Sequence, residues 1–169
     1  MKNVIVYKRR LTDRKRIFNI LVLILTVVTT SCEKNNDLPP GTILVSVDGN
    51  KKSFNNNAKA EWLSVEGGFG LLIYGYKGDT ISSNNISFQI ASPFTITAKT
   101  YKDKTSGNAV QIKYNVSLLF FWDEFTSSTA TITITEINST HVEGTFSGNL
   151  TDSGGGSMNL SGGAFNVSF

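Results

Sequence analysis

Cys32 and His141 are each the only residue of their kind in a chain of 169 residues, so the chemistry open to them depends on what can stand beside them. A lone cysteine cannot close an intramolecular disulfide, and a zinc site of the usual kind needs several Cys or His ligands. Covalent hydrolysis needs a nucleophile, a base and a group that orients the base. His141 lies in the turn-to-strand stretch STHVEG, two residues before Glu143, but no G-x-S-x-G elbow accompanies it. Asp123 and Glu124 recommend themselves as a glycosidase pair, yet neighbours in a strand point to opposite faces, and a solvated turn is expected. Gly154-Gly155-Gly156 lacks the lysine and helix of a phosphate cradle and reads as a hairpin loop. The remaining candidates are aromatic. Trp62, Trp122, Tyr76 and Tyr101 include rings on which a sugar could stack, since apolar sugar faces pack on aromatics. No catalytic residue, cofactor or metal is expected, and a hydrolase is the least favoured function.

The basic residues are concentrated at one end. Lys2, Lys8, Arg9, Arg10, Arg14, Lys15 and Arg16 face a single acid, Asp13, and then Ile17 to Thr30 carries no charge, the n-region and h-region of an export signal. As a helix that uncharged run covers about 21 Å, short of a hydrocarbon core of about 30 Å. Seven of the 16 Lys and Arg precede position 17, leaving nine against twelve acids, so the chain from Cys32 onward has a formal charge of −3. The overall +3 belongs to the targeting segment. A basic footprint for nucleic acid is missing from the mature chain, and nucleic acid is dropped as a partner.

Thr29-Thr30-Ser31-Cys32 ends the apolar run with small residues before the cysteine. This resembles the lipobox of bacterial lipoproteins, although Thr29 stands where that pattern prefers Leu. The resemblance implies a diacylglyceryl group on the Cys32 thiol and cleavage just before it. Glu33 and Asp37 resemble the acidic export signal of surface lipoproteins in the Bacteroidota. The expected organisation is a cleaved signal peptide over 1–31, a lipidated Cys32 and flexible tether over 32–41, and a β-domain over 42–169. The stretch EKNNDLPP has the composition of a tether. Two or more acyl chains, at about 0.8 kcal/mol per buried CH₂, hold a protein stably on a membrane.

From residue 42 onward, period-two alternation dominates. Ile43, Val45 and Val47 precede the turn signal Asp48-Gly49-Asn50. Phe69 to Tyr76 is apolar on both faces, and Ile86, Phe88 and Ile90 alternate cleanly. A run from Phe94 through Ile96 to Ala98 reads as a further strand, and Ile112 to Trp122 reads as the strongest single one. Leu119 and Phe121 give its second face an apolar character. Thr131 to Thr135 is β-branched throughout. Met158 and Leu160 share one parity, while Phe165, Val167 and Phe169 have the other, so Gly162-Gly163 should hold a bulge that corrects the register. FNNNAKAE, from Phe54 to Glu61, is the one stretch with room for a helix. Nine or ten short strands predict an all-β antiparallel sandwich or barrel-like domain.

Ile132-Thr133-Ile134-Thr135-Glu136-Ile137, Gly144-Thr145-Phe146 and Gly163-Ala164-Phe165-Asn166-Val167, with Val47-Asp48-Gly49 and Phe54 upstream, resemble the pattern of small Bacteroidota lipoproteins of unknown function. The resemblance runs from about Gly41 to the end and implies an all-β domain without catalytic residues to carry over. The expected protein is a lipid-anchored envelope lipoprotein at the outer membrane, with exposure on the cell surface implied by the resemblance at Glu33 and Asp37, acting as a non-catalytic binding or assembly module. A glycan-binding surface lipoprotein and a structural subunit of an outer-membrane complex are the alternatives. Its partners would be the membrane, through Cys32, and a glycan or envelope protein.

Overall fold

A computed structural model describes residues 38–169 except 79–82, 104 and 119–120, and only the backbone of 117, 118, 121 and 122. Ten strands and no helix occur among these residues: β1 (Thr42–Val47), β2 (Asn50–Ser53), β3 (Asn56–Val65), β4 (Gly68–Tyr76), β5 (Asn85–Ser92), β6 (Thr100–Lys102), β7 (Ala109–Leu118), β8 (Phe121–Ile137), β9 (His141–Thr151) and β10 (Ser157–Ser168).

The strands form one sheet that closes on itself. Antiparallel pairings run from β3 through β4, β5, β7, β8 and β9 to β10, and a single parallel pairing, Ser168 opposite Lys59, returns β10 to β3. The β1–β2 hairpin lies along the other edge of β10, and β6 pairs with the late part of β8. A closed sheet leaves few free edges for other chains to pair with.

Cross-strand register stacks the inward side chains in layers. Ala60, Ile73, Phe88 and Ile112 form one row across β3, β4, β5 and β7. Trp62, Leu71, Ile90 and Val110 form the next row, and beyond it Ser64, Phe69 and Ser92 form the last. On the other side of the ring, Ile132, Phe146, Leu160 and Phe165 supply buried residues from β8, β9 and β10. The Phe88 ring joins the two halves, with centroids 4.6 Å from Phe146 and 5.1 Å from Phe165. Each fully buried side chain of this size is worth about 1.5–3 kcal/mol.

The two G-x-F motifs are partners of each other. Gly144 stands opposite Phe165 and Phe146 opposite Gly163, so each phenylalanine lies over the other motif's glycine. A Cβ on Gly144 would come within 2.6 Å of Phe165 Cζ and would collide with the Thr133 carbonyl oxygen. The expected bulge is where the parity switch puts it: the β9–β10 register shifts between Leu160 and Gly163. The β1–β2 turn also matches its signal, with Asp48 and Gly49 both at positive φ, 48° and 82°. Asp48 fastens it to β10 through its Oδ1, which accepts from Asn159 N at 2.8 Å.

Three local expectations are corrected. The run from Ile112 to Trp122 is two strands, since β7 ends at Leu118 and β8 starts at Phe121 directly opposite. FNNNAKAE is not helical: β3 starts at Asn56, and the register shift between Asn56 and Lys59 absorbs Asn57 at φ 50°. Phe94 to Ala98 is not a strand either. It crosses toward β6 with Ile96 buried, and Tyr101 holds it in place by accepting from Thr97 N at 2.8 Å and donating to Thr97 O at 3.0 Å.

Candidate functional site

Each group with chemical potential is placed by a strand or turn. His141 opens β9, where Nε2 lies 3.2 Å from Glu136 Oε1 and 3.8 Å from Glu143 Oε1. Its Nδ1 is 3.0 Å from Asn138 Nδ2, and Asn138 Oδ1 caps the turn by accepting from the backbone N–H groups of Thr140 and His141. Glu136 and Glu143 face each other across the ladder, and like charges so placed repel. The imidazole between them therefore completes a hairpin end. Among the described residues, no group of three or more His, Cys, Asp or Glu is arranged to hold a metal ion.

Asp123 and Glu124 sit within β8 and not in a turn, both exposed. Glu124 pairs with Lys113 at 2.9 Å across the β7–β8 ladder. Gly154-Gly155-Gly156 is filled by its own side chain: Asp152 Oδ1 accepts from Gly154 N at 2.8 Å and Gly156 N at 2.7 Å. That carboxylate occupies the position an external anion would take.

The aromatic candidates separate sharply. Tyr101 is 0% exposed and belongs to the core. Tyr76 is half-buried on the outer face of β4, edge-on to Tyr74 at 6.2 Å. Trp122 lies on β8 opposite Ser117, and its ring falls outside the described residues, as do the side chains of Leu119 and Phe121. Cys32 also lies outside them. Trp62 is 52% exposed and stacks on Phe169 at 5.3 Å with an interplanar angle of 6°.

Trp62 has company that the sequence pattern did not single out. Phe69 is 45% exposed and Phe94 64% exposed, so three of the four exposed large hydrophobic residues among those described are aromatic and close in register. Phe69 is two positions along β4 from Leu71, the partner of Trp62, and it pairs with Ser92. Phe94 N donates to Ser92 Oγ at 3.2 Å. All three occupy the rim of the ring made by the β3–β4 turn, the segment after β5 and the C-terminal end of β10. Trp62 and Phe69 have the inward parity of Ala60 and Ile73 but stay about half exposed, with Trp62 on the part of β3 beyond its one pairing with β10 at Lys59. The signal available in the sequence was that parity, carried by Ala60 and Trp62 up to the polar Ser64 on β3 and by Ile73, Leu71 and Phe69 on β4. Nearby, the buried Asn108 amide has no hydrogen-bond partner for Oδ1 among the described residues.

A charged cluster lies just outside the rim. Lys59 Nζ is 2.8 Å from Glu61 Oε1, and Tyr74 OH donates to the same oxygen at 2.8 Å. Hydrogen bonds from Lys59 and Tyr74 hold the Glu61 carboxyl below its usual range, and the bond to Glu61 raises Lys59 above its own. Burial pushes the Tyr74 phenol up. Spectrophotometric titration, with Tyr74→Phe as the difference control, should therefore show Tyr74 ionising above the ordinary 10.0. A lowered Glu61 contributes stability that is lost as pH falls below the ordinary carboxyl range. Raised Lys59 and Tyr74 contribute stability that is lost as pH rises past their ordinary values, so the cluster favours folding between those limits.

At the far end of β4 the surface is polar. An open groove of ≈ 740 Å³ is lined by Lys51, Lys52, Asn55, Asn56 and Lys77. No protein-family model, curated protein or solved structure matches the chain.

Proposed function

We propose that this chain is a lipid-anchored envelope protein whose β-domain works as a binding or assembly module through its surface, without catalysis. The observation that carries the reading is the short distance in sequence between the thiol and the fold. Leu38, assigned to the tether by composition, is already fastened, because Asn166 Nδ2 donates to its carbonyl oxygen at 2.8 Å. Six residues before it is Cys32, behind the charge-free run and the basic arm of an export signal. A lipid there would hold the domain close against a membrane. The aromatic core packed across the ring leaves the surface as the part available for recognition, and the exposed rings of the rim are its most distinctive feature.

Cell fractionation tests the anchor. The native chain should sediment with membranes and be released by detergent, whereas Cys32→Ala should move to the soluble fraction with its fold intact. Equal sedimentation of the two proteins would contradict the reading. Glycan binding at Trp62 is the rival use of the same rim, and it is separated from lipid docking by the experiment below.

A further inference from the structure

We infer that the rim formed by Trp62, Phe69 and Phe94 is a membrane-docking surface, seated at the boundary between headgroups and acyl chains of the phospholipid bilayer to which Cys32 ties the chain. The inference rests on the anchored reading above. Three rings with about half or more of their surface exposed stand together at one end of the ring, at 52%, 45% and 64%. Trp62 and Phe69 have inward parity on β3 and β4, and β3 continues past its single pair with β10, Ser168 with Lys59. Packing within the domain stacks Phe169 on Trp62 and leaves 52% of the residue exposed.

The chain before Leu38 says what covers the rest. Leu38 is held by Asn166, three residues before Phe169, a separation of about 10 Å along a strand. The six residues back to Cys32 can extend by no more than about 20 Å. A bilayer holding the Cys32 lipid would lie within that reach of Leu38, which takes in the end of β10 and the rim. Aromatic rings favour the bilayer interface, where an apolar body and a wet edge are both accommodated. Lys99 and Lys102 are exposed on the segment that follows Phe94, with Lys99 Nζ 4.9 Å from the Tyr101 ring centroid. Their stems can lie along apolar surface while the ammonium groups reach headgroup phosphates. Glu66, at the β3–β4 turn, stands at headgroup depth in this orientation.

The test uses the mature lipoprotein, extracted in detergent and reconstituted into phosphatidylethanolamine–phosphatidylglycerol vesicles with and without brominated acyl chains. Trp122 is the only other tryptophan, so the difference between the native chain and Trp62→Phe reports Trp62. The expected result is a blue-shifted Trp62 component that brominated lipid quenches and that Trp62→Phe removes. Phe94→Ser, outside the strands, should reduce that quenching with the circular dichroism spectrum unchanged, which keeps the test usable if the tryptophan variant misfolds. Quenching that is the same in Trp62→Phe, on a chain whose mass includes the lipid, overturns the docking surface and leaves the anchor standing. A Trp62 component that responds to added soluble polysaccharide and ignores brominated lipid overturns it in favour of a glycan. A chain with an unmodified Cys32 removes the anchored reading and this inference together.

Discussion

Gly144→Ala is expected to cost about 3 kcal/mol, at the upper end of what overpacking a core typically costs. Its added methyl group has nowhere to go. It would meet the Thr133 carbonyl oxygen, which is backbone within the β8–β9 ladder, and the Phe165 ring at 2.6 Å. A flexible side-chain tip could swing aside, but a carbonyl in a hydrogen-bonded ladder moves only by opening the sheet, and Phe165 is buried against Phe88. Urea denaturation followed by far-ultraviolet circular dichroism would measure the loss as a lower midpoint with an unchanged slope. A midpoint within error of the native chain would contradict the close approach of Gly144 to the Thr133 carbonyl of β8 and the Phe165 ring of β10.

Phe165→Ala should destabilise by about 4 kcal/mol, within the range for truncating a buried phenylalanine. The ring is 2% exposed, lies over Gly144 and touches both Phe88 and Phe146. A glycine opposite cannot grow to fill the gap, so most of the cavity would remain. The two changes are also coupled. Removing the ring relieves one of the two collisions made by an alanine at 144, so the double variant should lose less than the sum of the singles. Strict additivity would show that the two G-x-F motifs do not act as one packing unit. Against a typical total stability of about 5–15 kcal/mol, either single change removes a large share.

What was legible in the sequence follows from period-two alternation. The parity switch from Met158 and Leu160 to Phe165 and Val167 located the bulge, because a strand with one buried face cannot change parity without an extra residue. Asp48-Gly49 located the first turn, and Ile132 and Ile134 pointed inward as the β-branched run required. The β7–β8 connection was not legible, since the apolar residues from Leu118 to Trp122 occupy both parities and no Gly, Asn or Pro marks a turn. Phe94 to Ala98 failed for the opposite reason: its alternation is real, but only Ile96 is buried, and side chain to backbone bonds from Tyr101 shape the segment.

The candidate site was half legible. Trp62 could be named as an aromatic candidate but not placed, because it lies on the part of β3 beyond its one pairing with β10, Ser168 with Lys59. Phe69 and Phe94 were read only as strand residues, and Phe94 lies between β5 and β6 on a segment whose alternation is real but which is not a strand. Tyr101 was named with Trp62 on residue type alone, and its hydroxyl, satisfied within the fold by Thr97, explains how a tyrosine is wholly buried. His141 and Glu143 do come together, as the spacing implied, with Glu136 and Asn138 added by the hairpin.

The anchored reading reduces to a single chemical question about Cys32. Mass spectrometry of the N-terminal peptide of the protein extracted from membranes answers it most directly. The predicted result is a chain that begins at Cys32 and carries a diacylglyceryl thioether, with Cys32→Ala yielding no such peptide. A mature chain that retains residues before Cys32, or that begins there with a free thiol, would contradict it.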